Sequence, residues 1–516
     1  MAFFSVQIAW LGIALTSALL LFFSWKNRKT IKQTVNLDKK SALLLLVVLS
    51  LTFSVQMFLP SHHRMYVDEP WYMETAKNIA SKGLAVTCTL NGFEQESCQS
   101  YRKMQGWPFF LAISFTLFES SDATAFATSA VLSTLAIAIV FLITRTLFQR
   151  NDLATMASLI FAFDPTRLYW GASAETNAPA ITFALLAVLA AVIVYKTGGK
   201  KQSSLLPAFL CTLILAASTR AEYVLLALPL APLLKAPSNE ETAYVLLIIA
   251  ILGAATLAPQ LSAFYESHSS SYPNDFKVAS IWQNIETIFE KIASNPSYAA
   301  LAFLALAGFA ALPKKSPVFY ALAGTTIAYL AVVLLWSEFS KPFQDRMLLP
   351  ALAMLSIAAA SALAKVKGEV FKKTKSAFAS NAIVAIAVLL IALPPFPLAL
   401  QNAQIHNIEN EAVNSLKNTA FSNCVVVTQW PTIIHASTKL KSMTTKSALE
   451  NPQKVSEVIK QTGCVLYFED QYCANKEPAN DNSRALCRKM HDAFKLKQVS
   501  KQTQADLNII VYSVLE

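Results

Sequence analysis

The chain has 516 residues, of which 54% are hydrophobic and 15% charged, and its formal net charge is +11. That balance is too apolar for an ordinary soluble globular protein and reads as a polytopic membrane protein. The positive charge does not point to nucleic acid, because the basic residues gather in short loops between apolar runs, where they encode topology.

A hydrocarbon core about 30 Å thick takes roughly 20 apolar residues as helix. Apolar runs at 6–24, 41–60, 122–147, 153–163, 177–195, 203–218, 221–234, 243–261, 298–312, 317–336, 347–364 and 377–400 give about twelve expected spans, several of them too short to cross alone. The run 107–118 opens with Trp107-Pro108 and ends at Glu119-Ser120-Ser121-Asp122. It reads as a helix lying in the interface or partly re-entrant.

Counting Lys and Arg in alternate loops gives nineteen on one side against six on the other, namely Arg167, Arg220, Lys277, Lys291, Lys341 and Arg346. The richer side is expected to be cytoplasmic. Loops 61–106 and 262–297, and everything after residue 400, are then expected to face outward. Six of the seven cysteines (Cys88, Cys98, Cys424, Cys464, Cys473, Cys487) fall in those outer segments, as an oxidising compartment permits, while Cys211 sits in an apolar run. Cys88 with Cys98 and Cys473 with Cys487 are candidate pairs, with connectivity left open by the spacing.

Composition divides the chain into a membrane part, residues 1–400, and an exterior tail, residues 401–516. In the tail, strand-like runs at 424–427, 464–468 and 507–512 alternate with helical stretches near 402–418, 451–462 and 482–496. That alternation predicts a small α/β unit with a mostly parallel sheet. No glycine-rich turn links strand to helix, so nucleotide binding gains no support.

The residues able to carry chemistry cluster at span ends on the outer side. Asp68 and Glu69 follow the apolar run that ends at Pro60; a carboxylate there serves as general base toward an acceptor hydroxyl or amine, or as a cap for a helix beginning at Pro70. His62 and His63 stand nearby, but adjacent histidines point in different directions, and no metal site is assigned. Arg102 and Lys103 close the first outer loop as a phosphate clamp or an interfacial anchor, with Tyr101 and Trp107 beside them as an aromatic belt. Glu175 and Asn177 open a span, suited to a sugar hydroxyl, a metal, or a cap. Arg220 and Glu222 interrupt the apolar stretch Leu205 to Leu234, and Arg346 opens a later span; ionisable residues so placed are functional by default. Carboxylates for an acceptor and cations for a leaving phosphate suit a sugar carried on a phosphate.

This order of motifs resembles the C-superfamily of membrane glycosyltransferases, and within it the protein O-mannosyltransferase and lipid A aminoarabinose transferase group, over about residues 60–365. The carrying residues are Val67-Asp68-Glu69-Pro70-Trp71-Tyr72-Met73-Glu74, Asp164-Pro165 with Tyr169-Trp170, Ser218-Thr219-Arg220-Ala221-Glu222, and the late Asp345-Arg346 followed by Pro350. The chain departs from the pattern in having Ala221 where proline is usual and Glu175 where many members have aspartate; it also lacks the Trp-Trp-Asp-Tyr-Gly motif of the oligosaccharyltransferase branch. The resemblance implies a polyprenyl-phosphate-linked sugar as donor, an unidentified acceptor, and inverting displacement. It casts Asp68 as the acceptor-activating or acceptor-orienting aspartate, with Arg102 or Lys103 and Arg346 at the donor phosphate; the sequence requires no cofactor and leaves a divalent metal open without supporting one. Two rival classes are a transporter or flippase of a lipid-linked substrate and a non-catalytic membrane scaffold. A transporter would place its charges near the bilayer midplane, with inverted repeats.

Overall fold

The computed structural model describes residues 2–59, 69–90, 96–100, 104–198, 202–234, 240–269, 277–314, 316–336, 344–392, 411–429, 440–470, 481–504 and 507–515, with Pro431, Ile434, Thr438 and Cys473. Its amino-terminal part is helical: α1 (Ala2–Lys26), α2 (Arg28–Val35), α3 (Lys39–Phe58) and α4 (Glu69–Lys82) precede a hairpin of β1 (Val86–Leu90) and β2 (Glu96–Ser100). Then follow α5 (Gly106–Leu117), α6 (Asp122–Phe148), α7 (Asn151–Ala162), α8 (Pro165–Gly171), α9 (Asn177–Thr197), α10 (Leu206–Thr219) and α11 (Glu240–Ser269). The bundle closes with α12 (Ser280–Ser294), α13 (Pro296–Ala311), α14 (Pro317–Leu335), α15 (Leu349–Thr374) and α16 (Ala377–Ala392).

Local chemistry starts several of these helices in the same way. At α8, α13 and α14 a polar side chain (Asp164, Asn295 or Ser316) accepts a backbone N–H from the first turn, and proline follows at once. The cap supplies an acceptor to an otherwise unpaired donor, and proline fixes φ where its missing N–H costs nothing.

Among the described residues seven helices are long and apolar enough to cross a membrane, eight if the bent pair α12–α13 counts as one span. Four shorter apolar helices, Gly106–Leu117, Leu206–Thr219, Ala221–Leu233 and Ala377–Ile391, stand beside them. At 14 residues α10 reaches only about 21 Å, short of a 30 Å core. The run 153–163 forms the 12-residue α7. The run 221–234 is not a span: Ala221–Leu233 is two 3-10 segments around a single α turn. Pro229 and Pro232 remove backbone donors there. The core of the bundle is α6, α9, α10 and α15, whose inward faces carry the largest buried cluster.

The carboxyl-terminal part is a five-stranded sheet in the order β4-β3-β5-β7-β6, where β3 is Val425–Thr428, β4 Lys441–Thr444, β5 Val465–Glu469, β6 Lys495–Gln504 and β7 Leu507–Leu515. Strands β4, β3 and β5 are parallel, whereas β7 runs antiparallel to both β5 and β6. The sheet is therefore mixed. Helices α17 (Thr445–Glu450), α18 (Pro452–Thr462) and α19 (Asp481–Ala493) accompany it, and separate apolar clusters cover its two faces. Disulfides join Cys424 to Cys464 and Cys473 to Cys487. In the first hairpin Cys88 lies directly opposite Cys98, which is disulfide-bonded. Cys211 is a free, buried thiol.

Candidate active site

The turn between α8 and α9 is held by side chains from two other helices and by a bond of its own to a third. Ser129 Oγ on α6 donates to the Ser173 carbonyl at 2.6 Å, and Trp107 Nε1 on α5 donates to the Ala174 carbonyl at 2.8 Å. Thr176 Oγ1 reaches back to the Thr219 carbonyl at the end of α10, at 3.2 Å. A buried turn must satisfy its own polar backbone, and here neighbouring helices do so. The consequence is a fixed position for Glu175, whose residue is only 1% exposed.

Around that carboxylate the structure closes a ring. Arg346 Nη1 and Asn177 Nδ2 both donate to Glu175 Oε2, each at 3.0 Å. The other end of the Asn177 amide, Oδ1, accepts Arg220 Nη1 at 2.6 Å. Arg220 Nε donates to Glu222 Oε1 at 2.6 Å, and its Nη2 reaches Met347 Sδ at 2.9 Å. Met347 is the chain neighbour of Arg346, so the circuit returns to its start. Two guanidiniums face two carboxylates with an amide between them, a neutral set. A lone buried charge would cost far more than this paired arrangement.

Aromatic rings line the ring of charges. The Arg346 guanidinium carbon lies 5.3 Å from the centre of the Trp170 ring, within cation–π range. Tyr223 and Tyr329, both buried, pack edge to face at 5.6 Å beside Arg220. Tyr72 in the first turn of α4 is close enough to interact electrostatically with Arg220. The buried Glu69 opens that same turn. The first turn of α4 thus lies beside Arg220.

The structure corrects several readings of single residues. Neither Glu175 nor Asn177 caps α9: the N-cap position is Thr176, with no side-chain cap bond, and both side chains are spent on arginines instead. Arg167 is no exposed cation. It is 2% exposed and donates Nη1 to the Ala162 carbonyl of the preceding helix at 3.0 Å. Trp107 does not sit in an aromatic belt; it is fully buried and holds the Glu175 turn.

Asp68, His62, His63, Tyr101, Arg102 and Lys103 lie outside the described residues. Sequence reasoning did not identify Met347, Trp170, Tyr72 or Trp107 as neighbours of the arginines. Tyr72, Trp107 and Trp170 stood within named motifs and Met347 directly follows Arg346, but their packing was not legible there. The Trp107 to Ala174 bond spans 67 residues, and no local signal announces it. Among the described residues no three His, Cys, Asp or Glu side chains converge to hold a metal ion.

Residues 106–264 match the family model described as dolichyl-phosphate-mannose-protein mannosyltransferase, a stretch that includes Glu175, Asn177, Arg220 and Glu222. No curated protein matches the chain. Among solved structures, ArnT from Cupriavidus metallidurans bound to undecaprenyl phosphate is similar with a TM-score of 0.58 and 13% identity, over 92% of this chain and 97% of that one. The same protein in its apo state gives 0.61 and 11% identity over the same shares, 92% and 97%. The oligosaccharyltransferase AglB from Archaeoglobus fulgidus, in complex with an inhibitory peptide and a dolichol-phosphate, gives 0.53 and 13% identity over 83% of this chain and 69% of that one. With its long apolar helices the chain is a multi-pass membrane protein, and it has the fold of these ArnT and AglB structures.

Proposed function

We propose that the protein is a glycosyltransferase that moves a sugar from a polyprenyl-phosphate-linked donor to an acceptor at the outer membrane–water boundary, with inversion. The observation that carries this reading is the ring of Arg220, Arg346, Glu175, Asn177 and Glu222. Two arginines fixed side by side at the end of a bundle suit a phosphate, which guanidinium forks bind through paired hydrogen bonds. The similar ArnT structure holds undecaprenyl phosphate and the AglB structure a dolichol-phosphate, which supports a carrier of that class here. The disulfides of the sheet domain support placing that domain on the oxidising side.

In this mechanism the acceptor oxygen or nitrogen attacks the anomeric carbon from the face opposite the phosphate. Its proton passes to the Asp68 carboxylate. The bond from the anomeric carbon to the phosphate oxygen breaks, and its electron pair leaves with the polyprenyl phosphate, whose charge the guanidiniums stabilise. Arg102 and Lys103 supply further positive charge in the same role. The two carboxylates of the ring do different work. Glu175 is buried and stays with Arg346 to aim it, whereas the Glu222 side chain, 19% exposed, can turn to water and release Arg220 to the phosphate.

The test is sugar transfer by the purified protein in lipid nanodiscs from a panel of polyprenyl-phosphate sugars, with Asp68→Asn beside the parent. Donor binding kept and transfer lost in Asp68→Asn is the expected result. Undiminished transfer would remove Asp68 from the role of base.

A further inference from the structure

Helix α12 fills part of the segment that reads as an outer loop, and its surface divides into three sectors. At 100° per residue, Val278 just before the helix and Trp282, Ile285, Phe289 and Ile292 within it fall in one narrow apolar stripe. Val278, Trp282 and Phe289 are 77%, 78% and 67% exposed. The adjoining sector faces protein. Asn284 is fully buried, and its Nδ2 lies 3.0, 3.0 and 2.7 Å from the carbonyls of Val333, Leu334 and Trp336, where α14 ends. Ile288 packs against Val333 and Met347. The third sector carries the exposed Gln283, Glu286 and Glu290.

The direction of α12 follows from the helix after it. Helix α13 packs on α15 through Gly308, where any Cβ would collide with the Ala358 carbonyl, and its Phe303 and Leu306 point outward at 73% and 71% exposure. The α12–α13 axis bends by 107°, so when α13 stands across the bilayer α12 lies nearly in its plane. Lying in that plane, the exposed apolar stripe of α12 suits the acyl–headgroup boundary, with Glu286 and Glu290 in the sector beside it.

We propose that α12 is a bilayer-seated anchor for the arginine ring: its stripe enters the acyl–headgroup boundary, and Asn284 and Ile288 transmit that seat to Trp336 and Met347. The partner is the lipid surface itself. With Glu286 and Glu290 on the water side, the seat rests on apolar insertion and needs no anionic lipid. The seat stands on geometry alone, while its effect on donor binding rests on the function proposed above.

Nitroxide labels at Phe289→Cys and Glu290→Cys, in phosphatidylcholine nanodiscs with and without phosphatidylglycerol, test the seat. Oxygen should broaden the label at 289 more than a water-soluble nickel chelate does, the order should reverse at 290, and neither should depend on phosphatidylglycerol. Equal water access at both positions overturns the seat. Binding of undecaprenyl phosphate tests the coupling: Trp282→Asp/Phe289→Asp should weaken it about tenfold, the loss of roughly 1.4 kcal/mol, and Glu286→Gln should leave it unchanged. Unchanged binding in the double variant overturns the coupling. No binding by the parent protein would contradict the donor role of the ring and the coupling with it, while the labels still decide the seat.

Discussion

The arginine ring and the carboxyl-terminal sheet solve the problem of burying polar groups in opposite ways. In the sheet, backbone ladders absorb the polar groups, and alternating side chains such as Val426 and Val427 fill two separate cores. Each loss there is local. In the ring, three segments distant in sequence bring charges together inside an apolar bundle, and each charge depends on the next. A low-dielectric setting makes such groups costly alone and stable only as a set. The bundle therefore concentrates its sensitivity at a few residues, and the sheet spreads it.

The largest expected effect comes from breaking the ring at its buried member. Glu175→Gln removes the buried carboxylate that Arg346 Nη1 meets at 3.0 Å, which should cost about 3–5 kcal/mol in detergent-solubilised unfolding and abolish transfer. A drop near 1 kcal/mol would show that the ring is not coupled.

Removing Cys424–Cys464 attacks the other region. The two residues are 40 apart in sequence, so Cys424→Ser/Cys464→Ser should lower the stability of the sheet by about 4 kcal/mol on a chain-entropy estimate. Calorimetry should show an earlier transition for the sheet, with undecaprenyl-phosphate binding by the bundle unchanged. Loss of that binding would erase the contrast drawn above.

Trp107→Phe is smaller and sharper. It removes one buried hydrogen bond to the Ala174 carbonyl, worth about 1–3 kcal/mol when its partner is left unsatisfied, and lets the Glu175 turn shift. Transfer should fall through kcat rather than KM. Glu222→Gln takes the nearest carboxylate from Arg220 but at the wetter end of the ring, so it should cost about 1–3 kcal/mol, less than Glu175→Gln, with donor binding unchanged or tighter. Weaker binding would assign Glu222 a positive role.

The smallest effect is at Asp38, which caps α3. The Ser41 amide, then its hydroxyl, hold this carboxyl below the ordinary carboxylate range. Its folded pKa is depressed, so its contribution is present above the unfolded value of about 3.9 and is lost as pH falls through the folded one. The difference in unfolding between the parent and Asp38→Asn should vanish in acid and appear at neutral pH.

What the sequence made legible follows from how far each signal reaches. Runs near 20 apolar residues announced the seven long helices, because length and composition are local properties. The β1–β2 hairpin went unread, and so did two strands of the sheet, β4 and β6. Both are edge strands of the sheet, and Lys441–Thr444 and Lys495–Gln504 carry the polar residues that exposed edges favour. The Cys424–Cys464 bond was also not proposed. It follows from Val425 pairing with Val465, a register that neither segment encodes alone.

At the site, charge type and span-end position singled out Glu175, Asn177, Arg220, Glu222 and Arg346. Their pairing was not legible, because Glu175 and Arg346 lie 171 residues apart. Arg167 shows the limit in the other direction. It looked like its neighbours in sequence, and only packing distinguishes an arginine spent on the Ala162 carbonyl from one in the ring.

The central claim is that Arg346 holds a polyprenyl phosphate and is not merely the partner of Glu175. The most direct measurement compares Arg346→Gln with Glu175→Gln/Arg346→Gln for transfer from a polyprenyl-phosphate sugar, with unfolding followed in parallel. The account predicts that the double variant regains stability, because the two charges are removed together, while transfer stays at least about 100-fold below the parent. Recovery of transfer in the double variant would contradict it and leave Arg346 a structural ion pair.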